Sequence, residues 1–153
     1  MHIRVLCVCR QVPGWVTSAV QEYCKRLPRS FELSFSHVPP ARGTVDKIKR
    51  INEEALRLKK RLSKQSPWVA LDISATALDS FSLARELQKF REEYGTLLLV
   101  IGGADGLSPE LVKQATARWS LSSLTLPHAL VQVVLAEQIY RAWSILERHP
   151  YNR

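Results

Sequence analysis

The fold is decided by residues 96–128, which read TLLLVIGGADGLSPELVKQATARWSLSSLTLPH. The apolar run Leu97–Ile101 is too short for a typical helix and is bounded by glycine, so it predicts a fully buried strand. A glycine-rich segment at 102–106 follows, and glycine lets the backbone turn tightly or approach a ligand closely. Ser108 and Pro109 are then typical of the N-cap and first residue of a helix.

A second apolar segment, Leu121–Leu126, predicts another strand, which Pro127 ends. One glycine-rich loop and one Ser/Thr-rich loop therefore lie at strand ends. Small ligands of α/β folds bind in the crevice outside the carboxyl ends of the strands. The two loops together predict a small-molecule site.

Outward from this stretch, strand-like segments alternate with helical ones. Apolar and β-branched runs predict strands at 2–9, 31–36 and 68–73, and apolar residues at helical spacing predict helices at 15–27, 45–62, 81–94 and 129–148. Such alternation is typical of a mostly parallel sheet flanked by helices. At 153 residues, the chain is expected to form one α/β domain over residues 1–153.

Two of these helices carry a candidate cap. Thr44 is expected to cap the second helix, with Asp46 in its first turn, and Ser80 is expected to cap the third. The predicted buried face of the second helix includes Ile48. The inner face of the third includes Phe81.

The last predicted helix is apolar on nearly all sides. A helix of this kind is buried on more than one face, and in so short a chain the second face is expected to be a subunit interface. Trp143 and Tyr140 suit such a contact, because aromatic residues are enriched at interfaces. The sequence therefore predicts a homodimer.

The net charge of +8 is unevenly distributed. Residues 1–64 contain 14 Lys/Arg and 5 Asp/Glu, whereas residues 65–153 contain 8 and 9. The asymmetry favours a polyanionic partner such as RNA or DNA; the alternative is a solvated surface that serves solubility. The second helix gathers much of the charge on one face: Lys47, Lys49, Arg50, Arg57, Lys59, Lys60, Arg61 and Lys64.

Several familiar kinds of site are absent from the sequence. It has no Walker-type phosphate loop, no G-x-G-x-x-G dinucleotide fingerprint and no G-x-S-x-G nucleophile elbow. The four histidines lack metal-ligand spacing, and an odd set of three cysteines favours reduced thiols. We therefore expect no metal. No apolar run is long enough to cross a bilayer and the N-terminus lacks a signal-peptide pattern, which predicts a cytoplasmic location without a membrane partner.

Six segments carry a resemblance to a known family: VPGWV at 12–16, EY-x-KR-x-P at 22–28, LDI at 71–73, LVIGGADGLSPEL at 99–111, WSLSSLTLPHALVQVVLAEQIYRAWSI at 119–145 and HPYNR at 149–153. Together they resemble the ribosomal large-subunit methyltransferase H family, which belongs to the SPOUT class of knotted methyltransferases. The chain departs from many relatives at Ser74–Thr76, where those carry a glycine.

The resemblance implies a fold, an activity and partners. The fold is a parallel α/β sheet with a C-terminal trefoil knot. The activity is transfer of a methyl group from S-adenosylmethionine to N3 of a pseudouridine in large-subunit ribosomal RNA. The family acts as a homodimer on the assembled ribosome.

The resemblance also implies site residues. His128 could equally be a histidine at the start of a helix that bonds to the backbone, without a catalytic role. The C-terminal segment at 149–153 could be a frayed terminus. The leucines could simply be core and Gly102 a tight turn. The implied catalytic residues are His128, Tyr151 and Arg153; the implied cofactor contacts are Leu71, Gly102, Leu121, Ser122, Ser123, Leu124, Thr125 and Leu126.

Two other functions are compatible with the same residues. The first is a non-catalytic RNA- or ribosome-binding module that has the same fold. The second is a phosphate- or nucleotide-binding protein in which Gly102–Ser108 forms an anion site at a helix start.

Overall fold

A computed structural model of the protein describes residues 1–43, 46–62 and 66–152. Its strands are β1 (His2–Val8), β2 (Glu32–Val38), β3 (Trp68–Leu71), β4 (Thr96–Ile101) and β5 (Ala117–Trp119). Its helices are α1 (Gly14–Arg26), α2 (Lys47–Lys59), α3 (Ser80–Glu93), α4 (Pro109–Val112) and α5 (His128–Leu146), followed by a 3-10 turn at Pro150–Asn152. Within these ranges, none of the helices is both long and apolar enough to cross a membrane.

The strands form one parallel sheet in the order β2-β1-β4-β3-β5. The central strand β4 is covered on both faces, which explains its unbroken apolar sequence. Leu97, Leu99 and Ile101 belong to the core cluster on one face, whereas Leu98 and Val100 belong to the cluster on the other. The predicted mostly parallel sheet flanked by helices is confirmed.

The helices divide between the two faces of the sheet. Helices α1, α3 and α5 contribute Val16, Leu87 and Ile139 to one core cluster. Helices α2 and α4 contribute Leu58 and Leu111 to the other. Each of these five side chains is nearly inaccessible to solvent, and each such burial stabilises the fold by about 1.5–3 kcal/mol.

The predicted strand at Leu121–Leu126 is wrong, and the last strand is instead the short β5. Leu124 is 70% exposed, so its apolar character does not mark the core. Its backbone N–H donates to the Ser122 hydroxyl at 2.9 Å rather than to a neighbouring strand. Serine side chains compete with sheet ladders in this way, and periodicity alone does not detect it.

Two predicted helix caps are also wrong by one or two positions. Asp46, not Thr44, is the N-cap of α2, and its carboxylate accepts from the N–H groups of Ile48 and Lys49; Thr44 itself lies outside the described residues. Asp79, not Ser80, caps α3. In both cases the nearest carboxylate takes the cap, because it accepts the orphan amide hydrogens well.

Near these two helix starts, two apolar side chains lie outside the core. Ile48 at the start of α2 is 70% exposed and Phe81 at the start of α3 is 60% exposed. Both were expected on buried faces. Val45, expected on the same face as Ile48, lies outside the described residues.

Helix α5 packs against both α1 and α3, which accounts for its apolar residues on several sides. Tyr140 is buried within the protomer and stacks on Trp143, with ring centroids 5.5 Å apart. It also lies 6.1 Å from the ring of Tyr23 on α1. Tyr140 therefore packs inside the chain rather than on an open subunit face.

Candidate functional site

A cavity of about 360 Å³ opens at the carboxyl ends of β3, β4 and β5. Its size is typical of a small-molecule site, and its place is where α/β sheets bind ligands. We call it the carboxyl-end cavity. Its wall is formed by Leu71, Asp72, Ile73, Ile101, Gly102, Gly103, Ala104, Asp105, Gly106, Trp119, Ser120, Leu121, Ser122, Leu124, Thr125, Leu126, His128 and Val131.

One wall is the glycine loop, defined as residues 102–107. The Gly106 N–H donates to the Gly103 carbonyl at 2.9 Å, and Gly106 has a φ of +83° that favours glycine. A Cβ on Gly102 would lie 2.6 Å from the Gly106 carbonyl carbon and 2.8 Å from the Leu107 nitrogen. Gly102 is thus required for the loop to fold back on itself.

The opposite wall is the serine loop, defined as residues 120–127. The Ser120 hydroxyl donates to the Ser122 carbonyl at 2.9 Å, and the Ser120 carbonyl accepts from the Leu78 N–H at 2.9 Å. These bonds hold the loop by its first residues. Leu121, Leu126 and the exposed Leu124 then present apolar surface to the cavity.

Two carboxylates at the cavity rim are paired with arginines. Asp72 accepts from Arg118 at 2.7 Å; partial burial raises its pKa, but hydrogen bonds from Ser74 and Arg118 outweigh this and lower it. The hydrogen bond from Arg50 at 2.9 Å lowers the pKa of Asp105. Both carboxylates are therefore ionised and stabilised as anions, which makes them poor proton acceptors.

His128 begins α5 at the edge of the cavity. Its Nδ1 atom is buried and, among the described residues, has no hydrogen-bond partner. Nδ1 therefore does not form the hydrogen bond to the backbone that the alternative for His128 expects. A buried orphan nitrogen is costly, which sets His128 apart from the other residues of the cavity wall.

The C-terminal tail lies elsewhere on the protomer. The Tyr151 hydroxyl donates to Glu137 at 3.1 Å, and its ring packs edge-on against Tyr140 at 4.6 Å. Burial and a hydrogen bond with Tyr23 raise the pKa of Tyr151 to about 12. Glu137 follows His128 by nine positions on α5, which is about 13 Å along the helix axis.

The structure thus brings together most of the residues implied by resemblance. Ser123 is not part of the cavity wall, Tyr151 lies along α5, and Arg153 lies outside the described residues. Sequence reasoning missed wall residues such as Ile73 and Ser120, although both follow a strand and that position was the available signal. The implied residues on the wall are Leu71, Gly102, Leu121, Ser122, Leu124, Thr125, Leu126 and His128.

The basic face of α2 is smaller than the sequence suggests. Arg50 is engaged by Asp105, and Arg57 donates to Glu53 and to the carbonyls of Pro39 and Pro40. Lys64 lies outside the described residues. The exposed cations of this face are Lys47, Lys49, Lys59, Lys60 and Arg61.

The described residues include the three cysteines, all as free thiols. No group of three or more potential metal ligands is found in the part of the chain that the structure describes. Cys7 is buried, and burial raises its pKa strongly. A thiol of this kind is protonated and unreactive.

Comparison with known proteins identifies the family. Residues 1–152 match the family model described as "Predicted SPOUT methyltransferase". Among solved structures, a methylase-family protein from Neisseria gonorrhoeae aligns with a TM-score of 0.54 at 16% identity, over 91% of this chain and 81% of its own. A Legionella pneumophila protein described as a methyltransferase, solved with bound SAM, aligns with a TM-score of 0.50 at 11% identity, over 93% and 66%. These likenesses show the fold, while the trefoil knot stays a prediction.

Full-length relatives give the closer grouping. Proteins named ribosomal RNA large subunit methyltransferase H share 46% identity in Alcanivorax borkumensis and 44% in Nitrosococcus oceani. The alignments cover all of this chain, with 100% and 99% of the respective relatives. The chain therefore belongs to the SPOUT methyltransferases, in the ribosomal RNA large subunit methyltransferase H family.

Proposed function

We propose that this protein is an S-adenosylmethionine-dependent methyltransferase that methylates N3 of a pseudouridine in large-subunit ribosomal RNA. One observation carries the proposal: seven of the eight residues that family resemblance assigns to the cofactor, all except Ser123, line the cavity at the strand ends. The relatives' names support a ribosomal RNA substrate. The choice of pseudouridine N3 rests on the resemblance.

The cavity wall fits this cofactor. Leu71, Leu121 and Leu126 would hold the adenine ring between apolar side chains, and backbone groups of the serine loop would read its edge. Gly102 would let the backbone come close to the ribose or methionine part. When bound, S-adenosylmethionine supplies an electrophilic methyl group on a sulfonium. Its contacts need no metal.

We assign the target base to the open side of the cavity, next to His128. The N3 atom must lose its proton to become a good nucleophile. His128, which lines the cavity, can orient the uracil ring or accept that proton. Alignment of N3 with the methyl group supplies much of the remaining acceleration.

We further propose that the enzyme works as a homodimer whose C-terminal tail serves the partner's site. The tail follows α5 and packs against its Glu137 and Tyr140, and Tyr151 does not line the cavity of its own protomer. Tyr151 would stack on or hydrogen-bond with the RNA, and Arg153 would neutralise a phosphate or the N3 anion. The exposed lysines of α2 would meet the phosphates of the assembled ribosome. A cytoplasmic location and a single domain stay predictions.

The two alternatives make different predictions. A non-catalytic ribosome-binding module would bind RNA without using the cavity. A phosphate-binding protein would need a strong helix terminus at the glycine loop, but α4 has four residues and Ser108 already caps Leu111. So short a helix has a weak dipole, which favours the methyltransferase.

The first test is direct titration of the protein with S-adenosylmethionine in a calorimeter. We expect saturable binding that ATP and inorganic phosphate do not compete away. Ribosomal RNA from cells that lack the protein should miss one methyl group by mass mapping, and the purified protein should restore it on assembled ribosomes. No binding at millimolar cofactor would remove the enzyme proposal.

A second prediction concerns His128. Replacing it by leucine removes the ring nitrogens while keeping apolar bulk, and we expect methyl transfer to fall about 100-fold. Cofactor affinity should change by less than about threefold, because the serine and glycine loops remain. His128→Asn keeps a polar atom near the Nδ1 position and should retain more activity. Equal rates for the leucine variant and the parent would exclude a role for the ring.

A further inference from the structure

Helix α2 contacts the glycine loop at two points. Glu54 is a buried carboxylate, 6% exposed, and its Oε1 accepts from the Ala41 N–H at 3.0 Å. A Cβ on Gly103 would overlap with its Oε2. The carboxylate therefore lies directly against the backbone of Gly103, in space that any side chain there would need.

A second contact joins the same helix to the same loop. Arg50 lies one turn before Glu54 and donates from Nε to Asp105 at 2.9 Å. The hydrogen bond to Asp105, followed by the charges of Asp105 and Glu54, raises the pKa of Arg50. The guanidinium thus joins α2 to the tip of the glycine loop through Asp105.

From these contacts we infer that Glu54, assisted by Arg50, is a positioning residue that fixes the glycine loop in its cofactor-binding shape. The loop has three glycines, which lose much conformational freedom on ordering. The loop therefore needs packing contacts from another element. Helix α2 provides them through the buried carboxylate of Glu54, which the Ala41 N–H holds in place. This role for cofactor binding rests on the proposed function.

The test is a double-mutant cycle between Gly103→Ala and Glu54→Ala. The methyl group of Gly103→Ala must displace the carboxylate from Ala41, and we expect cofactor affinity to fall about tenfold or more. Glu54→Ala should weaken binding several-fold by releasing the loop. In the double variant the methyl group has room, so its affinity should be no lower than that of Glu54→Ala alone.

Two control variants separate positioning from general damage. Glu54→Gln keeps the shape and an oxygen that accepts from Ala41, so it should bind cofactor like the parent. Glu53→Ala removes the neighbouring carboxylate, which pairs with Arg57, and should also leave binding unchanged. Additive losses in the cycle, or parent-like affinity in Glu54→Ala, would overturn the inference.

Amide hydrogen exchange without cofactor keeps this inference separate from the proposed function. Glu54→Ala should speed exchange at residues 103–107 while leaving the centre of the sheet protected. If the parent binds no S-adenosylmethionine, the proposed function fails, and exchange still decides whether Glu54 holds the loop. Unchanged exchange at 103–107 would contradict the inference in either case.

Discussion

Gly102→Ala is expected to weaken cofactor binding strongly although it adds a single methyl group. The added Cβ would meet backbone atoms of Gly106 and Leu107 at 2.6–2.8 Å, and backbone cannot swing aside as the end of a side chain can. The glycine loop must open, which removes one wall of the cavity. We expect S-adenosylmethionine affinity to fall about 100-fold, which corresponds to roughly 2.8 kcal/mol, as measured by calorimetry.

The matched control is Gly14→Ala at the start of α1. A Cβ at that position meets nothing within 4 Å, so the same chemical change should leave affinity and melting temperature near the parent values. The Gly102 variant should keep the circular dichroism of the parent and lose roughly a few degrees of melting temperature. Parent-like affinity in Gly102→Ala would mean that the glycine loop does not bind the cofactor.

Deleting Tyr151–Arg153 is expected to spare cofactor binding and to cut methyl transfer about 100-fold. The described part of the tail contacts Glu137 and Tyr140 on α5, and Glu137 lies six positions, about 9 Å along the helix axis, beyond Val131 of the cavity wall. A tail that serves the same protomer would have to leave them and turn back. A tail that serves the partner's site needs only a dimer, and this difference can be tested.

Mixed dimers provide that test. One chain carries Gly102→Ala and an intact tail, and the other has an intact cavity but lacks residues 151–153. Co-expression with two affinity tags isolates the mixed species. If the tail acts on the partner, each mixed dimer has one complete site and should turn over at about half the parent rate. If the tail acts on its own chain, both sites stay incomplete.

The control for the mixed dimer combines both changes in one chain. A dimer of that chain with the tail-less chain has no tail at all and should remain inactive. Size-exclusion chromatography with light scattering checks that every variant is dimeric. A monomeric parent protein, or an inactive mixed dimer, would contradict delivery of the tail across an interface.

The sequence was sufficient for the fold class because each layer has its own local pattern. Leu97–Ile101 predicted a strand covered on both faces, and β4 is that strand at the centre of the sheet. Ser108 and Pro109 predicted the start of α4, where the Ser108 hydroxyl accepts from Leu111. These features depend on neighbouring residues, and therefore short windows of sequence contain the needed information.

The parts that failed depend on competition between nearby groups. Leu121–Leu126 has the composition of a strand, but serine hydroxyls replace its ladder partners, so it becomes a wall of the cavity. Asp46 and Asp79, rather than Thr44 and Ser80, are the N-cap residues of α2 and α3, because each has a carboxylate within reach of the free amide hydrogens. Residue propensities do not show which of several neighbouring polar residues will cap a helix.

The support of the glycine loop could not have been predicted from sequence at all. Glu54 and Arg50 belong to a helix whose sequence looks like a solvated basic surface. Their partners lie about fifty residues later, at Gly103 and Asp105, and contact between them follows from the position of α2 on the sheet. Site residues of this kind become visible only when the elements are assembled.

The strand order has a consequence for how the chain forms during synthesis. β1 and β2 are neighbours in sequence and in the sheet, whereas β3 has β4 and β5 as its neighbours. As the chain emerges N-terminus first, Trp68 and Val69 have no strand to pair with until β4 has been made. We expect nascent chains that stop before residue 96 to expose this apolar segment and to bind chaperones, since unpaired strands of this kind associate readily.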